Sequence, residues 1–202
     1  MKQEYRSLIK RLDKKLSQIK DEKLQTNLKK TLKELNHSIY QVYMKAITDH
    51  KTGLYNNYFF ETLLNMELEK AERGKQKLCL FILDIDFFKK INDTYGHIKA
   101  DDMLVRLATI VVKNTRKSDI VARFGGEEFI VLFPETQISK AKKVIKRMRD
   151  EIKKDSFLKK YSLTVSGGLT EFEKGDTSHK IKSRADEGLY KAKKQGRDQF
   201  VK

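Results

Sequence analysis

"RFGGEEFIVLF", residues 123–133, sets two glycines and two glutamates between apolar, strand-forming runs. Adjacent glycines at such a place signal a tight hairpin, because glycine takes positive φ without a Cβ clash. The stretch predicts strands over 120–124 and 128–133, with Glu127 and Glu128 at the turn. Upstream, "LCLFILDIDFFKKIND" (78–93) predicts a strand over 78–84 that runs directly into acids. Helical patterns cover 99–115 and 138–153, and a further apolar strand covers 162–169. The order is β-α-β-β-α-β, a split βαβ (ferredoxin-like or palm) sandwich of class α+β, with helices on one face of an antiparallel sheet. Helices over 56–73 and 178–195 and a short strand over 198–201 complete the pattern.

Asp84 and Asp86 are two apart on a strand and point to the same face. Two like charges on one face repel unless a cation lies between them. In the split sheet the hairpin lies beside the first strand, so Glu127 can approach both aspartates. Hard divalent ions such as Mg2+ take oxygen ligands of this kind. A carboxylate cluster on this sandwich suits metal-assisted phosphoryl or nucleotidyl transfer. The local pattern leaves a plain alternative open, a solvated acidic turn. Lys89, just after the acids, and Lys193 and Arg197, four apart at a helix end, can hold phosphates. Asn92 and Asp101 combine an amide and an acceptor-only carboxylate, groups able to read the guanine edge. Each taken alone is an ordinary turn or cap residue.

The 202 residues, 39% hydrophobic, allow one substantial core plus an appendage. Lys and Arg outnumber Asp and Glu by 44 to 28, a formal charge of +16 that attracts polyanions without choosing among them. Cys79 is the only cysteine and lies inside an apolar run. It reads as a core side chain in a reducing, cytoplasmic setting. No apolar run reaches the ~20 residues that span a bilayer. The lysine-rich surface of 138–160 reads as a solvated helix face.

Residues 3–47 lack Gly and Pro and favour helix. Leu28, Leu32, Leu35, Ile39, Val42 and Ala46 step by four and three, the spacing of a coiled-coil seam. Leu12, Leu16 and Ile19 fall out of that register, which implies a stutter or a helical hairpin bending near Asp21–Thr26. The expected boundary gives a helical dimerisation or signalling segment, 1–48, and a globular domain, 49–202.

Several motifs occur in order: "DHKTGLYN", "DIDFFKKINDTYGH", "RKSD", "RFGGEEF", "LTVSGGL" and "ADEGLYKAKKQGRD". Together they resemble the GGDEF family of diguanylate cyclases over residues 49–202. That resemblance implies condensation of two GTP into cyclic di-GMP and two pyrophosphates, with two half-sites facing each other across a homodimer. By position, Asp84, the Ile85 carbonyl and Glu127 would bind Mg2+, with Mn2+ as the alternative ion. Glu127 would accept the hydroxyl proton, and Glu128 would share its acidic tip. Asn92 and Asp101 would recognise guanine, with His97 nearby. Phe87 and Phe88 would offer backbone amides, Lys89 would stabilise the transition state, and Lys193 and Arg197 would hold the terminal phosphates. Arg116 and Asp119, with Arg147, would form an inhibitory product site.

The chain departs from the family pattern at Asn57 and Tyr58, at Ala100 and at Asp198. Ala100 would tighten the guanine pocket if that position needs positive φ. No departure removes an expected metal ligand. A silent nucleotide receptor and a basic nucleic-acid-binding module are the competing function classes. The first is disfavoured by the intact acids and the second by the lack of a groove-reading motif.

Overall fold

The computed structural model describes residues 11, 12, 14–74 and 76–202. The chain divides into two compact units, one up to Ala46 and one from Ile47. The first carries helix α1, Glu22–Ile47, short of its last residue. Asp21 caps it, its carboxylate accepting from the Leu24 N–H at 2.9 Å. Residues 14–16 are helical and 17–21 are not, so the chain breaks rather than stutters, just ahead of the expected bend. Along α1, Leu35, Ile39 and Val42 are 54%, 57% and 68% exposed. Among the described residues no helix is long and apolar enough to cross a membrane.

The second unit runs β1 (Tyr55–Asn56), α2 (Asn57–Gly74), β2 (Leu78–Ile85), α3 (Phe88–Asn114), β3 (Ile120–Gly125) and β4 (Glu128–Pro134). It continues through α4 (Ile138–Lys154), α5 (Ser156–Lys160), β5 (Val165–Glu171), α6 (Ser178–Lys194) and β6 (Phe200–Val201). The six strands lie in the order β1-β3-β4-β2-β5-β6. The four middle strands pair antiparallel, whereas β1 and β6 add parallel edges. The expected split βαβ sandwich is present at the centre.

Its helices, however, cover both faces. Cys79, Phe81, Leu83 and Ile85 of β2 pack with α3 and α4, while Leu78, Leu80 and Ile82 pack with α2 and α6. Every residue of β2 is buried. The unbroken apolar run "LCLFIL" follows from this, because a strand covered on both faces has no solvent side to alternate with. Each fully buried Leu, Ile or Phe stabilises the fold by about 1.5–3 kcal/mol.

Gly168 decides how closely α6 lies on the sheet. A Cβ there would sit 1.9 Å from the Ala185 carbonyl oxygen and 2.4 Å from the Leu189 nitrogen. Gly188 of α6 meets Gly168 from the other side, its own Cβ position 3.0 Å from the Gly168 Cα. Helix and strand backbones therefore touch without intervening side chains. This fixes the height of Lys193, one turn further along the same helix.

Helix α3 begins at Phe88, eleven residues before the expected start, and bends at Gly96, whose φ is 79° and ψ 160°. The glycine within "NDTYGH" concealed the first turns from a periodicity reading, because it interrupts the helical pattern.

Candidate active site

Asp84, the penultimate residue of β2, lies opposite Glu128 of β4 in the antiparallel register. Acids directly opposite on neighbouring strands repel. The ammonium of Lys193 answers them, 2.9 Å from Asp84 Oδ1. Burial raises the Asp84 pKa and Glu127 and Asp86 push it further, with Lys193 opposing. Burial also raises Glu128, and Asp84, Asp186 and Glu127 add to the rise against Lys193. Asp84, Asp86, Glu127, Glu128 and Asp186 thus act on one another at this edge, with Lys193 against them.

The hairpin tip reaches this edge through its backbone. Gly125 pairs with Glu128, with a bulge after Arg123, and the turn is Gly126-Glu127. Gly126 has φ +34°, whereas Gly125 does not use the left-handed region, so one glycine of the pair carries the turn. The Ile85 N–H donates to the Glu127 carbonyl at 3.4 Å, which seats the tip against the end of β2.

Asp86, near enough to act on Asp84, is held by hydrogen bonds of its own. Its Oδ1 accepts from Ser166 at 2.7 Å, and its Oδ2 accepts from Thr164 at 2.8 Å and from the Asp198 N–H at 3.1 Å. Thr164, just before β5, and Ser166 within it stand two apart in "LTVSGGL", a spacing that turns both hydroxyls to Asp86. A buried carboxylate supplied with three donors needs no metal to satisfy it.

Residues expected at the phosphates gather at the start of α3. Phe87 precedes the helix in the left-handed conformation, φ 56°. For a bulky residue that is strained backbone, costing about 1–3 kcal/mol. The Arg197 guanidinium stacks over the Phe87 ring at 4.3 Å. Lys89 is exposed in the first helical turn, where orphan N–H groups and the helix dipole favour an anion. Arg197 and Asp198 are also left-handed, with φ 63° and 48°. Asp198 meets basic residues of α4: Lys153 Nζ lies 2.6 Å from its carboxylate and Arg149 bonds its carbonyl. An aspartate fits this left-handed site well, since Asn and Asp are the side chains that tolerate it.

The expected base-reading residues already have partners. His97 Nδ1 lies 3.0 Å from Asn92 Oδ1, and Asn92 Nδ2 donates to the Phe88 carbonyl at 3.3 Å. Lys51 donates to both Asp101 oxygens, at 2.6 and 2.7 Å. Ala100 is a fully buried helical residue outside the set with positive φ, so the expected backbone conflict does not arise. Of the other departures, Asn57 opens α2 and Tyr58 is 83% exposed, away from the core.

"RKSD" forms a turn between α3 and β3. The Arg116 N–H donates to Asp119 Oδ2 at 2.7 Å, and the Asp119 N–H returns to the Arg116 carbonyl at 3.0 Å. Burial raises the Asp119 pKa against that hydrogen bond. Arg147 of α4 is fastened to the same corner, donating to Asn114 Oδ1 at 2.8 Å and to its carbonyl at 2.7 Å.

Asp49 and Arg123 form a further link that the sequence reading passed over. Arg123 donates to both Asp49 oxygens, at 3.2 and 3.3 Å, and clasps the Gly126 carbonyl at 3.0 and 2.6 Å. Burial alone would raise the Asp49 pKa, but hydrogen bonds from Thr52 and Arg123 hold it below 3.8. Parallel pairing of Asn56 with Arg123 brings the "DHKTGLYN" segment alongside the hairpin. The signal available in sequence was the Asp-x-x-Thr turn, in which the Asp49 carboxylate accepts from the Thr52 N–H at 2.8 Å.

Among the described residues no three Asp, Glu, His or Cys side chains form a ready-made metal cage. The expected set asks for less, two carboxylates and the Ile85 carbonyl. Its donors are hard oxygens, and Asp84 is an acid raised by burial and then by neighbouring acids, and met by a single ammonium. That chemistry fits a divalent ion.

The family model described as "Diguanylate cyclase, GGDEF domain" matches residues 46–199. The chain is 40% identical over 159 residues to diguanylate cyclase DgcP of Pseudomonas aeruginosa, covering 77% of this chain and 24% of that protein. It is 36% identical over 162 residues to the response regulator PleD of Caulobacter vibrioides, covering 77% and 36%. It thus spans well under half the length of these two relatives. The crystal structure of the coiled coil and GGDEF domain of DgcB from Caulobacter crescentus, in complex with c-di-GMP, superimposes with TM-score 0.80 at 30% identity. That match covers 87% of this chain and 95% of the other. With its domain matched nearly end to end and the acidic hairpin set against β2, the chain belongs to the GGDEF family of diguanylate cyclase domains.

Proposed function

We propose that this protein is a diguanylate cyclase that condenses two GTP into cyclic di-GMP in the cytoplasm, working as a homodimer with product inhibition. The observation that carries the reading is the edge where Lys193 meets Asp84 opposite Glu128, with Glu127 acting on both acids, next to the start of α3. Family membership and a c-di-GMP complex among the structural neighbours support it.

In this reading each protomer holds one GTP. Asn92 and Asp101 recognise guanine with His97 alongside, while the amides of Phe87 and Phe88, with Lys193 and Arg197, hold the triphosphate. Asp84, the Ile85 carbonyl and Glu127 hold Mg2+ or Mn2+, which supplies Lewis-acid stabilisation of phosphate charge and a more acidic attacking hydroxyl. Glu127 accepts the proton of one ribose 3′-hydroxyl as that oxygen attacks the partner GTP's α-phosphate. The bond to the β-phosphate breaks, pyrophosphate leaves, and Lys89 stabilises the charge that develops. The same step in the other half-site closes the ring. Glu128, level with Asp84, belongs to the same tip.

A single nucleotide per protomer requires two domains to meet, and the exposed apolar seam of α1 suits a second copy of itself. The neighbour described as a coiled coil with a GGDEF domain supports that role for α1. Arg116, Asp119 and Arg147, at one corner of the fold, are the proposed product site.

The test is incubation of purified protein with GTP and Mg2+, followed by chromatography of the products. Wild type should form cyclic di-GMP and pyrophosphate, and Glu127→Ala should abolish both. No product from wild type, or equal yields from the two, refutes the activity. Arg116→Ala should relieve inhibition by added cyclic di-GMP without lowering the initial rate.

A further inference from the structure

Lys51 lies on the carboxylate that the proposed function assigns to guanine. Its ammonium is 2.6 and 2.7 Å from the two oxygens of Asp101, so one cation faces both acceptors. Guanine presents two adjacent donors, N1–H and the N2 amino group, and a carboxylate reads them with both oxygens. The base and the lysine therefore require the same atoms.

The backbone that carries Lys51 is fixed. Asp49 accepts from the Thr52 N–H at 2.8 Å and from its hydroxyl at 2.6 Å, and the Gly53 N–H closes on the Asp49 carbonyl at 2.9 Å. With the turn held, displacement of Lys51 calls on its side chain. The Lys51 and Asp101 side chains are 36% and 38% exposed, so water can receive the displaced ammonium. Lys99 is engaged separately with Asp102 at 3.1 Å.

We propose that Lys51 is an affinity-setting residue of the nucleotide site, a built-in competitor that guanine must displace from Asp101. The proposal rests on the reading that Asp101 recognises guanine. A partly exposed pair of this kind has modest strength, so its removal should tighten binding about two- to five-fold. Adenine offers Asp101 no such pair of adjacent donors, so binding of an ATP analogue should not change.

The test is calorimetric binding of the α,β-methylene analogue of GTP, which cannot react, to the full chain and to Lys51→Met, Asp101→Ala and the double variant. Lys51→Met should bind about two- to five-fold tighter, Asp101→Ala should bind more weakly, and the double variant should match Asp101→Ala. If Asp101→Ala binds as wild type does, the base reading fails and this proposal fails with it. Weaker binding by Asp101→Ala with no tightening in Lys51→Met overturns the competition and leaves the base reading standing. Tightening that persists in the double variant, or that extends to the ATP analogue, also overturns it.

Discussion

Lys193 reaches from the last turn of α6 to Asp84 at the end of β2, 2.9 Å away, and so faces the acid opposite Glu128. One ammonium balances the acidic edge, and in the proposed function it also holds a phosphate. Lys193→Met should lower cyclic di-GMP synthesis about ten- to hundred-fold, the loss expected for a charge-assisted hydrogen bond. Lys193→Arg should keep part of the rate. A Met variant within two-fold of wild type at saturating Mg2+ would remove Lys193 from the site.

Gly168→Ala would put a methyl group 1.9 Å from the Ala185 carbonyl oxygen. Both atoms belong to regular elements, so the contact cannot be relieved by a rotamer change. The substitution should destabilise the domain by about 1–3 kcal/mol or more, measured by urea unfolding. An unchanged midpoint would mean that α6 can lift from β5 freely.

Asp49 gives the domain a pH-dependent element. Its folded pKa lies below the ordinary 3.8, so its stabilisation is complete above 3.8 and is lost as pH falls through the folded value. Asp49→Asn should cost about 1–3 kcal/mol at pH 7, the range for losing a charge-assisted hydrogen bond. The gap between the two proteins should narrow at pH 3. Parallel stability curves across that range would contradict the assignment.

Burial pushes the Cys79 thiol up to about 12, and its Sγ lies 3.1 Å from the Thr136 carbonyl oxygen. The nucleophile in thiol chemistry is the thiolate. In the native protein at pH 8 a disulfide reagent should therefore find no reactive thiol, and in urea it should find one. Rapid native labelling would show that the core opens around β2.

If α1 aligns two half-sites, specific activity should rise with protein concentration through the range in which the dimer forms. Removal of residues 1–45 should lower activity at fixed concentration. Sedimentation run beside the product assay checks both, and equal activity per molecule after truncation would separate α1 from catalysis.

Much of this domain was legible because its local signals agree. The Gly-Gly hairpin, the apolar strand ending in acids and the alternating helices each point to the same sandwich. The second helical face was less legible, since continuous burial of 78–85 becomes evident only once α2 and α6 are placed. Asp84 and Asp86 look equivalent in sequence. What separates them is the hydroxyls of Thr164 and Ser166 and the amide of Asp198, up to 112 residues away. The Lys51–Asp101 and Asp49–Arg123 pairs, 50 and 74 residues apart, were hidden for the same reason.

The clasp of Asp86 on the Asp198 amide joins residues 112 apart in the chain. Loop-closure entropy grows only slowly with length, so a tie this long is one the native fold can hold. Arg197 immediately precedes that clasp and lies over Phe87. A chain cut short before Arg197 would keep the acidic hairpin and lose the proposed phosphate contact of that residue. Nucleotide affinity would then report whether the last residues of the domain are docked, a readout that the acidic hairpin alone does not give.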